Sequence, residues 1–128
     1  MVGLPRSGKS TVAKSLGYPI VEPDAIRTVL HGTPWKRNME PMVWGVAHTM
    51  VEALFEAGHD DVTLDATNHT ARRRVEWESD AYVIKYHEVP TSMSVCIERA
   101  KETKQDYLVP IIERMCQQYE PVGGPSDC

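Results

Sequence analysis

The sequence predicts an α/β protein, a three-layer parallel sheet flanked by helices, and three observations carry that prediction. Short apolar runs alternate with stretches of helical period, the pattern of β–α units. Pro and Gly fall between these segments at regular intervals, where turns are needed. The opening string, MVGLPRSGKST, sets a glycine-bearing loop directly before a helical pattern. A chain of 128 residues is long enough for one hydrophobic core and too short for two. One domain is therefore expected over residues 1–120, followed by a flexible Gly/Pro-rich tail over 121–128.

The elements follow in order. Residues 10–16 read as a helix with Val12, Ala13 and Leu16 on one face and Gly17 as its stop. Pro19-Ile20-Val21 is a short buried strand. Pro23-Asp24 opens a helix whose apolar side is Ala25, Ile26, Val29 and Leu30, and Gly32 closes it. Residues 33–38, TPWKRN, form a loop. The clearest helix carries Met42, Val43, Val46, Ala47, Met50, Val51, Leu54 and Phe55 in pairs one turn apart, with Pro41 in its first turn and Gly58 at its cap. Residues 61–65 are a strand ending in Asp65. Residues 70–79 are a basic helix, and residues 81–89 a strand. Pro90-Thr91-Ser92 caps a helix through Ile97 and Ala100, a polar stretch follows, and residues 109–119 form the last helix. Only Met1-Val2 precede the loop, so the first strand is expected to be truncated, and Gly123-Gly124-Pro125 follows the last helix, so a last strand is expected to be missing.

Composition narrows the function classes. A hydrophobic fraction of 41% with 25% charged residues is ordinary for a globular chain. No apolar run reaches membrane-spanning length, so a cytoplasmic protein without a membrane partner is expected. The net charge of −4 argues against a broad nucleic-acid-coating surface, though not against a pocket that grips one strand end. Three cysteines without a CxxC predict no disulfide framework and no zinc site, and the five histidines show no metal-ligand spacing.

The string Gly3-Leu4-Pro5-Arg6-Ser7-Gly8-Lys9-Ser10 fits GxxxxGK[ST], and each fixed position has a mechanical reason. The glycines let backbone N–H groups turn inward around phosphate oxygens, the lysine reaches the β- and γ-phosphates, and the serine hydroxyl ligates Mg²⁺. The helix that follows adds its positive dipole end. The expected nucleotide contacts are Gly3, Ser7, Gly8, Lys9, Ser10 and Thr11, with Ser10 as metal ligand and ATP and Mg²⁺ as the bound groups. Ligands in open parallel sheets bind beyond the carboxyl ends of strands. Asp24 follows the second strand, Asp65 ends the third, and Arg99 lies on the helix before the polar stretch, so these groups and Lys9 can converge on one edge.

The ordered set GLPRSGKST, PDAIR, DATNHTARRR and CIERA…VPIIERM…YEP resembles the P-loop kinase family of phage-type polynucleotide 5′-hydroxyl kinases over about residues 2–121. The resemblance implies a P-loop NTPase-type fold and a kinase that moves the γ-phosphate of ATP to an acceptor hydroxyl. It makes Asp24 the general base, with helix capping as the competing role. It makes Arg27 the residue that holds the acceptor, and a solvated arginine is the alternative. Asp65 and Asn68 match its strand end: Asp65 orients Arg27 or a magnesium-bound water, and Asn68 binds the acceptor or caps the next helix. Lys9 and Arg99 join Asp24 as catalytic groups.

The chain departs from that family at two places. Arg99 matches the first of two lid arginines, but Thr103 stands at the second, between Lys101 and Lys104. Arg6 replaces a usual glycine, and a positive φ there would strain the loop. Arg72-Arg73-Arg74 reads as a solvated face or a nucleic-acid patch, and Trp35 as a packing residue or a base-stacking one. A polynucleotide 5′-hydroxyl is the first choice of acceptor and a small-molecule hydroxyl the second. A nucleotide-binding or hydrolysing module and a catalytically weakened fragment remain as other classes.

Overall fold

The structure is a computed structural model that describes residues 1–32 and 36–122. Its elements are α1 (Lys9–Leu16), β1 (Ile20–Val21), α2 (Pro23–His31), α3 (Glu40–Glu56), β2 (Thr63–Leu64), α4 (Ala71–Val75), α5 (Met93–Glu102) and α6 (Val109–Gln118), with 3₁₀ turns at Arg37–Met39 and Asp106–Leu108. The chain is helix-rich α/β with a two-stranded parallel sheet. It divides into two compact units, residues 10–66 and residues 1–9 with 67–128.

In the unit of residues 10–66, β1 and β2 pair in parallel, Ile20 with Thr63 and Val21 with Leu64. Parallel neighbours need a long crossover, and α2 and α3 supply it. Pro23 pre-sets φ for the first turn of α2, and Gly32 ends it at φ 69°, donating its N–H to Thr28 O. Pro41 sits in the first turn of α3, whose Val43, Ala47 and Val51 are buried. These recur every four residues, as one face of a helix requires. The sequence-predicted stripe is wider than the buried one, because Met42 and Met50 are exposed.

In the other unit, Leu4 is buried with Cys96, Ala100, Ile112 and Cys116 from α5 and α6, and Met93, Ile97, Leu108 and Met115 pack around them. Burying the Leu4 side chain contributes about 2 kcal/mol and anchors the glycine-bearing loop in this core. The strand expected over 81–89 does not form. Only Glu88 bridges in parallel to Val2, through Val2 N–His87 O (2.9 Å) and Val89 N–Val2 O (2.8 Å). β-favouring side chains need a paired neighbour to make a strand; one bridge satisfies residues 87–89, while Val83 is almost wholly exposed.

The basic helix predicted over 70–79 shrinks to α4. Thr70 Oγ1 accepts the N-cap bond from Arg73 N (3.2 Å). Past Val75 the chain tightens into i→i+3 turns, Trp77 N to Arg74 O and Glu78 N to Val75 O, as Trp77 is buried. Of the arginine run Arg74 is not solvated: it is buried and donates to Asn68 O (2.9 Å). The cysteines also depart from expectation. Cys96 is a free thiol, whereas Cys116 is disulfide-bonded. The expected Trp35 role and most of the expected tail likewise lie outside them. Among the described residues no helix is long and apolar enough to cross a membrane.

Candidate functional site

The loop of residues 3–9 is held at both ends by backbone bonds. Gly3 N donates to Thr67 O (2.9 Å), and Ser7 N donates to Leu4 O (3.2 Å), closing a tight turn. A Cβ on Gly3 would lie 2.8 Å from Ser7 Oγ and 3.0 Å from Val89 O, so no other residue fits there without a shift. Gly8 has φ 101°, open to glycine alone at little cost. Arg6 has φ 65°, which costs a side-chain-bearing residue roughly 1–2 kcal/mol. The strain that the sequence made conditional is therefore present.

Three side chains of this loop, Leu4, Ser7 and Lys9, are buried. Lys9 is 8% exposed, and its ammonium donates to Leu4 O at 2.7 Å. Thr91 Oγ1 donates to Ser7 O (2.7 Å). Ser7 Oγ is buried with no hydrogen-bond partner among the described residues, an unsatisfied group of the kind that a ligand or water completes. Arg99, exposed on α5, donates from Nη1 to Arg6 O at 3.2 Å. Four expected nucleotide contacts, Gly3, Ser7, Gly8 and Lys9, thus lie in the same unit as Arg99, whose Nη1 is 3.8 Å from where a Cβ on Gly8 would stand. Thr103, at the second lid position, spends its hydroxyl on Arg99 O (3.0 Å) and Ala100 O (3.2 Å) and so ends α5.

In the unit of residues 10–66, Ser10 Oγ donates to Asp65 Oδ2 at 2.7 Å. Asp65 is buried directly after β2, and its N–H donates to Val21 O (2.8 Å), which extends the ladder and fixes the carboxylate at the strand end. A hydroxyl and a carboxylate are hard oxygen donors. They suit Mg²⁺, which takes one or two protein ligands and keeps waters and phosphate oxygens for the rest. Among the described residues no group of three or more His, Cys, Asp or Glu side chains could hold a metal alone. Thr11 follows Ser10 in α1, exposed.

Asp24 lies in the first turn of α2, yet Glu22 is the N-cap and no side chain caps the helix. Capping therefore does not occupy Asp24, whose side chain is 74% exposed. Its Oδ1 accepts from Arg27 Nη1 at 2.6 Å. Glu40 takes the other edge of Arg27, accepting from Nε at 2.9 Å and Nη2 at 2.6 Å. Trp44, one turn along α3 from Glu40, lies 5.8 Å from the guanidinium, within cation–π range. Burial pulls the Arg27 pKa down, but the hydrogen bonds and charges of Glu40 and then Asp24 outweigh it and hold the group above its usual value. The carboxylates on Arg27 are Asp24 and Glu40, and Asp65 serves Ser10.

Asn68, with φ 45°, is buried and donates from Nδ2 to Met1 O at 3.0 Å. Thr70 is the cap of α4, so Asn68 is not. Sequence reasoning missed Glu40. Its one signal was an acid just before Pro41 at a helix start, which reads equally as a favourable dipole contact.

A glycine-bearing loop that carries a buried lysine into a helix start, and a helix-borne hydroxyl on a strand-end carboxylate, define a P-loop nucleotide-binding protein. A family model described as an AAA domain matches residues 1–121, and the chain belongs to that family, which is P-loop NTPase-like and includes nucleotide and small-molecule kinases and ATPases. No curated protein matches the chain.

Proposed function

We propose that the chain is an ATP- and Mg²⁺-dependent phosphotransferase whose acceptor is a hydroxyl, a polynucleotide 5′-hydroxyl before others. The observation that carries this reading is the Ser10–Asp65 hydrogen bond. It pairs the motif's metal-ligating hydroxyl with a strand-end carboxylate, as phosphoryl transfer with a divalent ion needs. When bound, Mg²⁺ neutralises charge on the β- and γ-phosphates. Lys9 leaves Leu4 O to meet those phosphates, and Arg99 stabilises the transferring group. Asp24 accepts the acceptor proton as the acceptor oxygen bonds to phosphorus and the β,γ-bridging oxygen departs with its electron pair as ADP. Arg27 holds the Asp24 carboxylate for that task. In this reading residues 1–120 act as one three-layer kinase domain in the cytoplasm, where ATP is supplied.

A small-molecule acceptor is the second reading, and one observation favours it. The Arg27 fork is already filled by Glu40 and Asp24, so it offers a nucleic-acid phosphate little. Incubation with labelled Mg·ATP and either a 5′-hydroxyl oligonucleotide or a panel of small alcohols separates the two. Asp24→Asn is expected to lower kcat about 10²- to 10⁴-fold on the true acceptor. Equal transfer by that variant removes Asp24 from the mechanism, and steady hydrolysis without any acceptor overturns the kinase reading in favour of an ATPase.

A further inference from the structure

We infer that Arg6 is a nucleotide-binding residue that reads the terminal phosphate of ATP and so distinguishes a nucleoside triphosphate from a diphosphate. The inference rests on the nucleotide-binding reading above and adds a contact to it.

Three observations within the unit of residues 1–9 and 67–128 support it. First, Arg6 sits at φ 65° in a turn where glycine would be unstrained. Strain retained in a loop next to a cluster of cations points from the outlier to a use for the side chain. Second, Arg6 and Arg99 bring positive charge here without carboxylate partners among the described residues. Arg99 donates to the Arg6 carbonyl. The buried Cys96 thiol registers the same cluster: burial pushes it up, while Lys9, Arg99 and Arg6 pull against that. Like charges gathered at one loop repel one another unless an anion joins them. Third, Ser7 Oγ, next in sequence, is 2% exposed and unpartnered, so the loop has a buried donor to spare as well.

Depth assigns the phosphate. Gly3, Ser7 and Lys9 are buried, whereas Arg6 and Arg99 are exposed. Groups at the outer rim meet the outermost phosphate. That phosphate is present in ATP and absent from ADP. A guanidinium suits its oxygens because the planar fork offers two parallel donors.

The test is calorimetric titration of the full chain with Mg²⁺ and either ADP or a non-hydrolysable ATP analogue, together with thermal unfolding without ligand. Arg6→Gly is expected to raise the unfolding midpoint by about 2–5 °C as the strain is relieved. It should weaken the triphosphate analogue at least tenfold and leave ADP within twofold. Arg6→Asn tolerates the same φ without glycine's looseness and should show the same selective loss. Triphosphate affinity unchanged in Arg6→Gly overturns the inference. So does an equal loss for both nucleotides, or a loss in Arg6→Gly that Arg6→Asn does not share. Wild-type protein that binds neither nucleotide overturns the nucleotide reading itself, an outcome that no variant result resembles.

Discussion

Arginines in two parts of the molecule are treated in opposite ways. In the loop of residues 3–9, Arg6 and the neighbouring Arg99 lack carboxylate partners among the described residues. At the junction of α2 and α3, Arg27 is held by Glu40 on one edge and Asp24 on another, over the Trp44 ring. A cation with its counter-charge already in place is a structural strut, because an incoming anion must first displace a partner in a region of reduced dielectric. A cation without one is ready for an anion from outside. The contrast teaches that the two arginine sites are built differently: one leaves its guanidinium groups without a counter-charge among the described residues, and the other holds a carboxylate in place.

Removing the central cation of the loop tests that contrast hardest. Lys9→Ala should lower kcat/KM for ATP by about 10²–10³ while the fold survives, since loss of one preorganised cationic donor costs that much; steady-state transfer rates check it, and a loss under threefold breaks the comparison. Next in size is Gly3→Ala. The added methyl meets Ser7 Oγ and Val89 O, so a destabilisation of about 1–3 kcal/mol is expected in urea unfolding. An unchanged midpoint would mean that the loop yields easily and does not preorganise its cations.

Glu40→Gln sharpens the other side. Arg27 and Glu40 side chains are 12% and 16% exposed, so losing the charge should cost about 1–2 kcal/mol, between the limits for exposed and buried pairs. The strut assignment also requires that this variant bind Mg·ATP as the wild type does, and titration decides that. The smallest effect concerns His69, which burial and then, against a Gln118 hydrogen bond, the charges of Arg73, Arg114 and Arg74 hold below the usual 6.5. A histidine depressed in the folded state binds fewer protons there than in the unfolded chain. Its stabilising contribution is complete above pH 6.5 and declines as the pH falls from 6.5 toward the lowered value. Urea midpoints at pH 7.5 and 5.5 should fall less in His69→Gln than in wild type.

Much of this architecture is legible in the sequence. Pro23 and Gly32 bracket α2, Pro41 opens α3, Ser92 caps α5, and Gly17 follows α1 at φ 76°, as turn and cap chemistry predicts. The helices were legible because their signals are local: a cap, a period, a stop. The strand over 81–89 was not, because Tyr82, Val83, Ile84 and Tyr86 carry the right propensity but pairing is a non-local event, and only residues 87–89 find Val2. Residues 76–79 left their helix for the same kind of reason, the burial of Trp77.

The candidate site divides along the same line. The sequence by itself determined the loop, its lysine, the serine that follows and the acid at the end of β2, since a fixed spacing of glycine, lysine and hydroxyl is a local pattern that a short string can hold. Only tertiary structure decided which acid meets which partner: Asp65 with Ser10, fifty-five residues away, and Glu40 with Arg27 across two helices. Hydrogen bonds reach about 3 Å, so such choices belong to the packing of distant segments, where no neighbouring residue announces them.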